Sequence, residues 1–120
     1  MKKNTLLLIL IITFLLSPVI AHAGTVRVFA RKSDGGHYGN FRVRVYKNGQ
    51  YHHSCSSIQK DNRGIYYARI PDVKPNVNYL FRVIAGKKTG TSSFRKFSKN
   101  SFWNGISSII IPVTRDYHGE

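Results

Sequence analysis

Val26-Arg27-Val28-Phe29-Ala30-Arg31 and Phe41-Arg42-Val43-Arg44-Val45-Tyr46 are the stretches that decide the fold. Successive side chains of an extended strand point to opposite faces. A period of two therefore marks a strand with one face in a core and the other in water. The first stretch puts Val26, Val28 and Ala30 inward, with Arg27, Phe29 and Arg31 outward. The second puts Phe41, Val43 and Val45 inward, with Arg42, Arg44 and Tyr46 outward.

Working outward, turn signals separate further strands. Ser33 to Asn40 is a Gly-rich loop, Asn48-Gly49 a tight hairpin turn, and Asp61-Asn62-Arg63-Gly64 another turn. Strands are expected over 51–58, 65–70 (ended by Pro71-Asp72), 79–85, 93–99 and 106–113. The stretch 79–85 is apolar on both faces, which suits the middle of a sheet. Gly86 to Gly90 reads as a loop, 93–99 as an edge, and Pro112 moves the last strand toward an edge. The expectation is an all-β chain: a single antiparallel β-sandwich of about seven strands over residues 24–115, with a frayed tail at 116–120.

Residues 1–23 read as a signal peptide. Lys2 and Lys3 precede an apolar run from Leu6 to Leu16, then come Ser17-Pro18 and the small-residue cleavage signal Ala21-His22-Ala23. The apolar run is shorter than the roughly 20 residues a membrane span takes. Cleavage is expected after Ala23, giving a secreted, periplasmic or cell-surface protein. Cys55 is the only cysteine, so no intrachain disulfide forms, and the expectation is a buried, inert thiol. The abundance of Val, Ile, Tyr and Phe excludes a disordered chain.

The order of motifs resembles the prealbumin-like sandwiches, particularly the carboxypeptidase regulatory-like and Cna-B-like modules. The stretches that carry it are Gly24-Thr25-Val26-Arg27-Val28, Phe41 to Tyr46, Asp61-Asn62-Arg63-Gly64-Ile65-Tyr66, Ala68-Arg69-Ile70-Pro71-Asp72 and Asn78 to Val83. The resemblance implies a non-catalytic accessory, adhesion or structural module and carries over no active residues. Some Cna-B-like domains hold a Lys–Asn isopeptide bond assisted by an acid, and this chain has almost no acidic residue within a strand.

Catalytic groups are scarce. Asp34, Asp61 and Asp72 fall in turns, where Asp bonds its own backbone, and Asp116 and Glu120 fall in the tail. Beyond the leader the histidines are His37, His52, His53 and His118. His53 and Cys55, two apart on a strand, share a face and form the best Cys–His pair, yet two ligands fall short of a closed metal site. No catalytic residue, metal, cofactor or small-molecule substrate is expected.

Charge is the strongest functional signal. The chain carries +14 with His neutral; without Lys2 and Lys3 it has 17 basic against 5 acidic residues, about +12. A surface built for solubility alone mixes both signs, whereas this excess favours polyanions. If the first two strands share a sheet, Arg27, Arg31, Arg42 and Arg44 form one outer face, with Arg69 and Arg82 extending it. Lys87, Lys88, Arg95, Lys96 and Lys99 add basic loops or an edge. Arginine's planar fork matches phosphate, sulfate or carboxylate, and Phe29, Tyr46 and Tyr67 lie among these residues as stacking candidates. The leading expectation is a non-catalytic module binding an anionic polymer or surface: DNA or RNA, acidic glycan, lipopolysaccharide or anionic envelope lipid. One alternative is a structural subunit of a filament or envelope assembly, self-associating through Phe94, Phe97, Phe102 and Trp103. Another is a small secreted nuclease or toxin using His and Lys.

Overall fold

The computed structural model describes residues 23–119; the expected signal peptide, apart from Ala23, lies outside the described residues. The chain forms an all-β sandwich of two packed sheets. Its strands are β1 (Gly24–Arg31), β2 (Arg42–Lys47), β3 (Gln50–Ser56), β4 (Gln59–Lys60), β5 (Tyr66–Val73), β6 (Asn78–Ala85), β7 (Lys88–Thr91), β8 (Arg95–Lys96), β9 (Ile106–Pro112) and β10 (Arg115–Asp116). Sheet one runs β4-β5-β1-β9, and sheet two runs β10-β7-β6-β2-β3 with β8 beside the start of β6. Neighbours are antiparallel except β1 and β9, which pair in parallel from Thr25↔Ile106 to Arg31↔Pro112.

The inward residues are those the alternation selects. Val26, Val28, Ala30, Ala68, Ile70, Ile109 and Ile111 face Val43, Val45, Phe81 and Val83 across the sandwich, all buried. Phe81 stacks on Tyr79 at 6.1 Å, and Phe97 meets it edge-on at 6.3 Å, closing the end of the core. Burying one such side chain contributes about 1.5–3 kcal/mol. The β2–β3 hairpin turns on Asn48 (φ 52°) and Gly49 (φ 82°), the left-handed pair of a two-residue turn. At the 61–64 turn, Asp61 Oδ1 accepts from the Arg63 and Ile65 amides. β6 is central in sheet two, as its two-sided apolar character implies.

Some boundaries differ from the sequence reading. β5 continues through Pro71 to Val73. Asp72 adopts a left-handed φ of 56° there, and β4 pairs only with Tyr66 and Tyr67, so Pro71 has no neighbour on that side. The expected 86–90 loop is only a tight turn before β7. The 93–99 strand shrinks to β8, followed by a single 3-10 turn at Lys99–Ser101. The tail is not frayed at its start, because Arg115 and Asp116 pair with Thr89 and Lys88.

Candidate polyanion interface

β1 and β2 do not share a sheet, and this corrects the single arginine face. Alternation tells which residues point outward but not which sheet holds them. The 32–40 connection is no tight hairpin: it turns back on β1 through Tyr38 N–H to Ala30 C=O at 2.9 Å, then crosses to the other layer. Arg27, Arg31 and Arg69 therefore lie on the outer face of sheet one, and Arg42, Arg44 and Arg82 on the outer face of sheet two.

On sheet two, the register sets Arg44 directly opposite Arg82, with Arg42 and Arg115 in the next row, reached through Ile84 and Thr89. Directly opposed side chains on one face stand about 5 Å apart at Cβ, and like charges there destabilise a sheet. Aromatic rings run among these guanidinium groups. Arg44 lies 4.9 Å from the Tyr51 ring and 5.9 Å from that of Tyr46, and Arg82 lies 5.7 Å from Tyr117. Tyr46 and Tyr51 are cross-strand partners whose rings meet at 5.9 Å, and Tyr51 is 53% exposed. Arg115, Tyr51 and Tyr117 extend the expected set. Tyr51 was legible, because a two-residue turn at Asn48-Gly49 sets it opposite Tyr46. Arg115 and Tyr117 alternate outward around Asp116, a pattern hidden by their place at the chain's end.

On sheet one, Arg27 opposes Arg69, whose guanidinium reaches Thr25 Oγ1 at 3.5 Å. Arg27 covers the Tyr67 ring at 4.8 Å. Phe29 and Tyr67 pack together at 5.6 Å and are only 5% and 6% exposed, so they are not stacking platforms. The neighbouring strands supply the cover: Tyr67 on β5 and Ile110 on β9 flank Phe29.

The lysines are spread differently. Lys88 Nζ meets Asp116 Oδ1 at 2.6 Å, which raises the Lys88 pKa and lowers that of Asp116 through the hydrogen bond and the charge. Lys87 is exposed at the β6–β7 turn, Lys96 lies opposite Asn78, Arg95 is exposed opposite Tyr79, and Lys99 stands in the 3-10 turn. Of the aromatic group expected to make an assembly contact, Phe97 is core at 4% exposure and Phe102 is half-buried against it at 5.5 Å. Phe94 is exposed, and Trp103 is 83% exposed at a turn formed by Asn104 and Gly105.

His53 and Cys55 do share the inner side of β3, opposite Val45 and Val43. Burial raises the Cys55 thiol pKa, against the opposing pull of Arg69, which favours the non-nucleophilic form. Burial, aided by His52, lowers the His53 pKa and favours its neutral ring. Cys55 is half-buried rather than fully enclosed. Among the described residues no three His, Cys, Asp or Glu side chains gather as a metal-binding group.

The chain matches no protein-family model, and no curated protein or solved structure is significantly similar to it. The functional reading therefore rests on the two faces themselves.

Proposed function

We propose that this chain is an exported, non-catalytic β-sandwich module that binds a polyanion through the arginine–tyrosine outer face of sheet two. The observation that carries the reading is the Arg44–Arg82 pair, set directly opposite one another with Arg42 and Arg115 in the adjoining row. The register gathers several guanidinium groups on one outer face, where successive anionic groups of a polymer laid across the strands meet them. Guanidinium forks suit phosphate, sulfate and carboxylate alike, so the partner class comprises extracellular nucleic acid, acidic glycan and anionic envelope surface. The leader over 1–23 supports export, and the non-catalytic accessory role agrees with what the prealbumin-like resemblance implies.

Charge reversal tests the face. Arg42→Glu, Arg44→Glu and Arg115→Glu together should nearly abolish binding to duplex DNA, single-stranded DNA and a sulfated glycan, with the melting temperature kept as a folding control. Undiminished binding by the folded triple variant would remove this face from the account.

A second reading, a subunit of an extracellular filament or envelope assembly, is favoured by a different observation. β9 is the outer strand of sheet one and carries no charged residue, and Trp103 is exposed close to its start. Uncharged edge strands invite pairing with another chain. A protein that stays monomeric at high concentration, with and without polyanion, would argue against assembly.

A further inference from the structure

The outer strand of a sheet leaves a row of backbone groups open to pairing, and proteins guard such edges with short strands, irregular register or charge. β4 and β10 are two residues long and carry Lys60 or Arg115 and Asp116, and the register of β3 against β2 is irregular between Val45 and Tyr46. β9 lacks these guards: it is seven residues long, uncharged and, among the described residues, has no strand on its outer side. Its parallel ladder with β1 fixes which groups are open. Thr25 N–H donates to Gly105 C=O at 2.8 Å, and Val113 N–H to Arg31 C=O at 2.9 Å. Alternate residues of a strand turn their N–H and C=O to opposite sides, so Ser107, Ile109 and Ile111 bond β1, while Ser108 and Ile110 turn theirs away from it. Ile106 is tied to Trp103 by two hydrogen bonds, and Pro112 has no N–H, so both ends of the open stretch are bounded.

We infer that β9 accepts an extended acidic segment of another protein as an added strand. This site lies apart from the outer face of sheet two and does not depend on the polyanion reading. A hollow of about 190 Å³ lies between β9 and the chain from Thr91 to Arg95, and a second, of about 480 Å³, continues it past Phe94 and Ser107. Arg95 lines both, and no carboxylate lines either. Arg95 is directly opposite the buried Tyr79, and opposed residues share a face, so its side chain stands on the inward side at the open mouth of the sandwich. An added strand sends alternate side chains into this groove, where carboxylates meet the Arg95 fork. Its other side chains lie beside Ile110, which is 56% exposed, and are apolar. The segment therefore alternates acidic with apolar residues.

A second copy of this chain does not fit the groove. Each copy carries about +12, Asp61 and Asp116 are already ion-paired, and none of the described strands alternates acidic with apolar residues. In strand addition the main-chain bonds supply affinity and the alternate side chains supply specificity. Both can be removed separately here. Pro112 stands in the same phase of β9 as Ile110, so a proline at 110 takes away an outward donor and leaves the ladder with β1 intact.

The test is binding of a short labelled peptide of alternating Glu and Val, with blocked ends, to protein purified after expression of the full-length chain. The wild type should bind it saturably at physiological salt and should not bind the Lys–Val counterpart. Ile110→Pro should weaken binding by at least about tenfold, because the pairing is interrupted at its middle, and should leave DNA binding unchanged. Arg95→Gln should weaken the Glu–Val peptide several-fold and a Thr–Val peptide hardly at all. R42E/R44E/R115E should lose DNA and keep the peptide within about fivefold, the residual change being long-range charge. If Ile110→Pro unfolds the protein, two N-methylated peptides of unchanged charge replace it. Methylation at the valines blocks an antiparallel added strand and methylation at the glutamates a parallel one, so one of the two should bind at least about tenfold weaker than the parent. Equal binding by the parent and both methylated copies would overturn the inference. So would loss of the peptide in R42E/R44E/R115E with retention in Ile110→Pro, which would make the peptide one more polyanion on sheet two. A wild-type dimer abolished by Ile110→Pro, without affinity for the peptide, would overturn the choice of partner in favour of a second copy. Failure to bind DNA with the peptide results as expected would overturn the polyanion reading and leave this one standing.

Discussion

Two outward-pointing aromatic residues, each on a sheet face that carries arginines, end in opposite states. Phe29 stands between outward arginines on β1 and is buried, while Tyr51 stands beside Arg44 and is open to solvent. Each lies on an outer face. Phe29 belongs to an interior strand, with Tyr67 and Ile110 on either side of it. Tyr51 belongs to β3, the edge of sheet two, and has only Tyr46 beside it in register. The position of a strand within its sheet, and not the alternation along it, decides whether an outward aromatic is structural or available to a ligand.

The comparison can be broken most severely at the joint that holds the two sheets. A methyl group at Gly90 on β7 would overlap the Pro112 carbonyl oxygen on β9, and that partner is backbone, with no rotamer to escape into. Gly90→Ala should therefore cost about 3 kcal/mol by overpacking, read as a large fall in denaturant midpoint, and should disable both faces together. Next comes the pair itself. Phe29→Ala should cost about 2–3 kcal/mol, at or below the lower end for a buried aromatic. Tyr51→Ala should change stability by less than about 0.5 kcal/mol. Equal losses in urea unfolding would contradict the distinction. Binding should rank the other way: Tyr51→Ala should weaken single-stranded DNA by about 1–3 kcal/mol, and Phe29→Ala should not, provided it is measured where the variant is folded.

The smallest effect concerns the inner side of β3. The fold holds His53 below its ordinary pKa near 6.5, because burial disfavours the charged ring. The unfolded chain takes up that proton first. The contribution is full above about pH 7 and declines as pH falls through the ordinary value toward the lowered one. The wild-type melting temperature should drop between pH 7.5 and 5.5 by more than that of His53→Asn, and identical drops would refute the assignment.

Much of the fold was legible, because the inward set at Val26, Val28, Val43 and Val45 follows directly from a period of two, and the Asn48-Gly49 turn fixes its hairpin. Sheet membership was not. The chain crosses between layers after β1, β3, β5, β8 and β9, and nothing in the alternation of Val26–Arg31 or Phe41–Tyr46 records the crossing. For that reason the outward arginines were recognised while their grouping was not. The covering of Phe29 and Tyr67 depends on β5, β1 and β9 being neighbours, with Tyr67 38 and Ile110 81 positions along the chain from Phe29. The short strands β4 and β10 were missed because two-residue pairings have no period to read.

The most direct test of the central claim is the affinity of the wild-type protein for duplex DNA across a salt series. Arginine–phosphate contact releases counterions, so log K should fall linearly with log salt at about −0.9 per phosphate neutralised, or roughly −3 to −4 if the sheet-two arginines are the ones engaged. A flat dependence, or no binding even at low salt, would contradict the account.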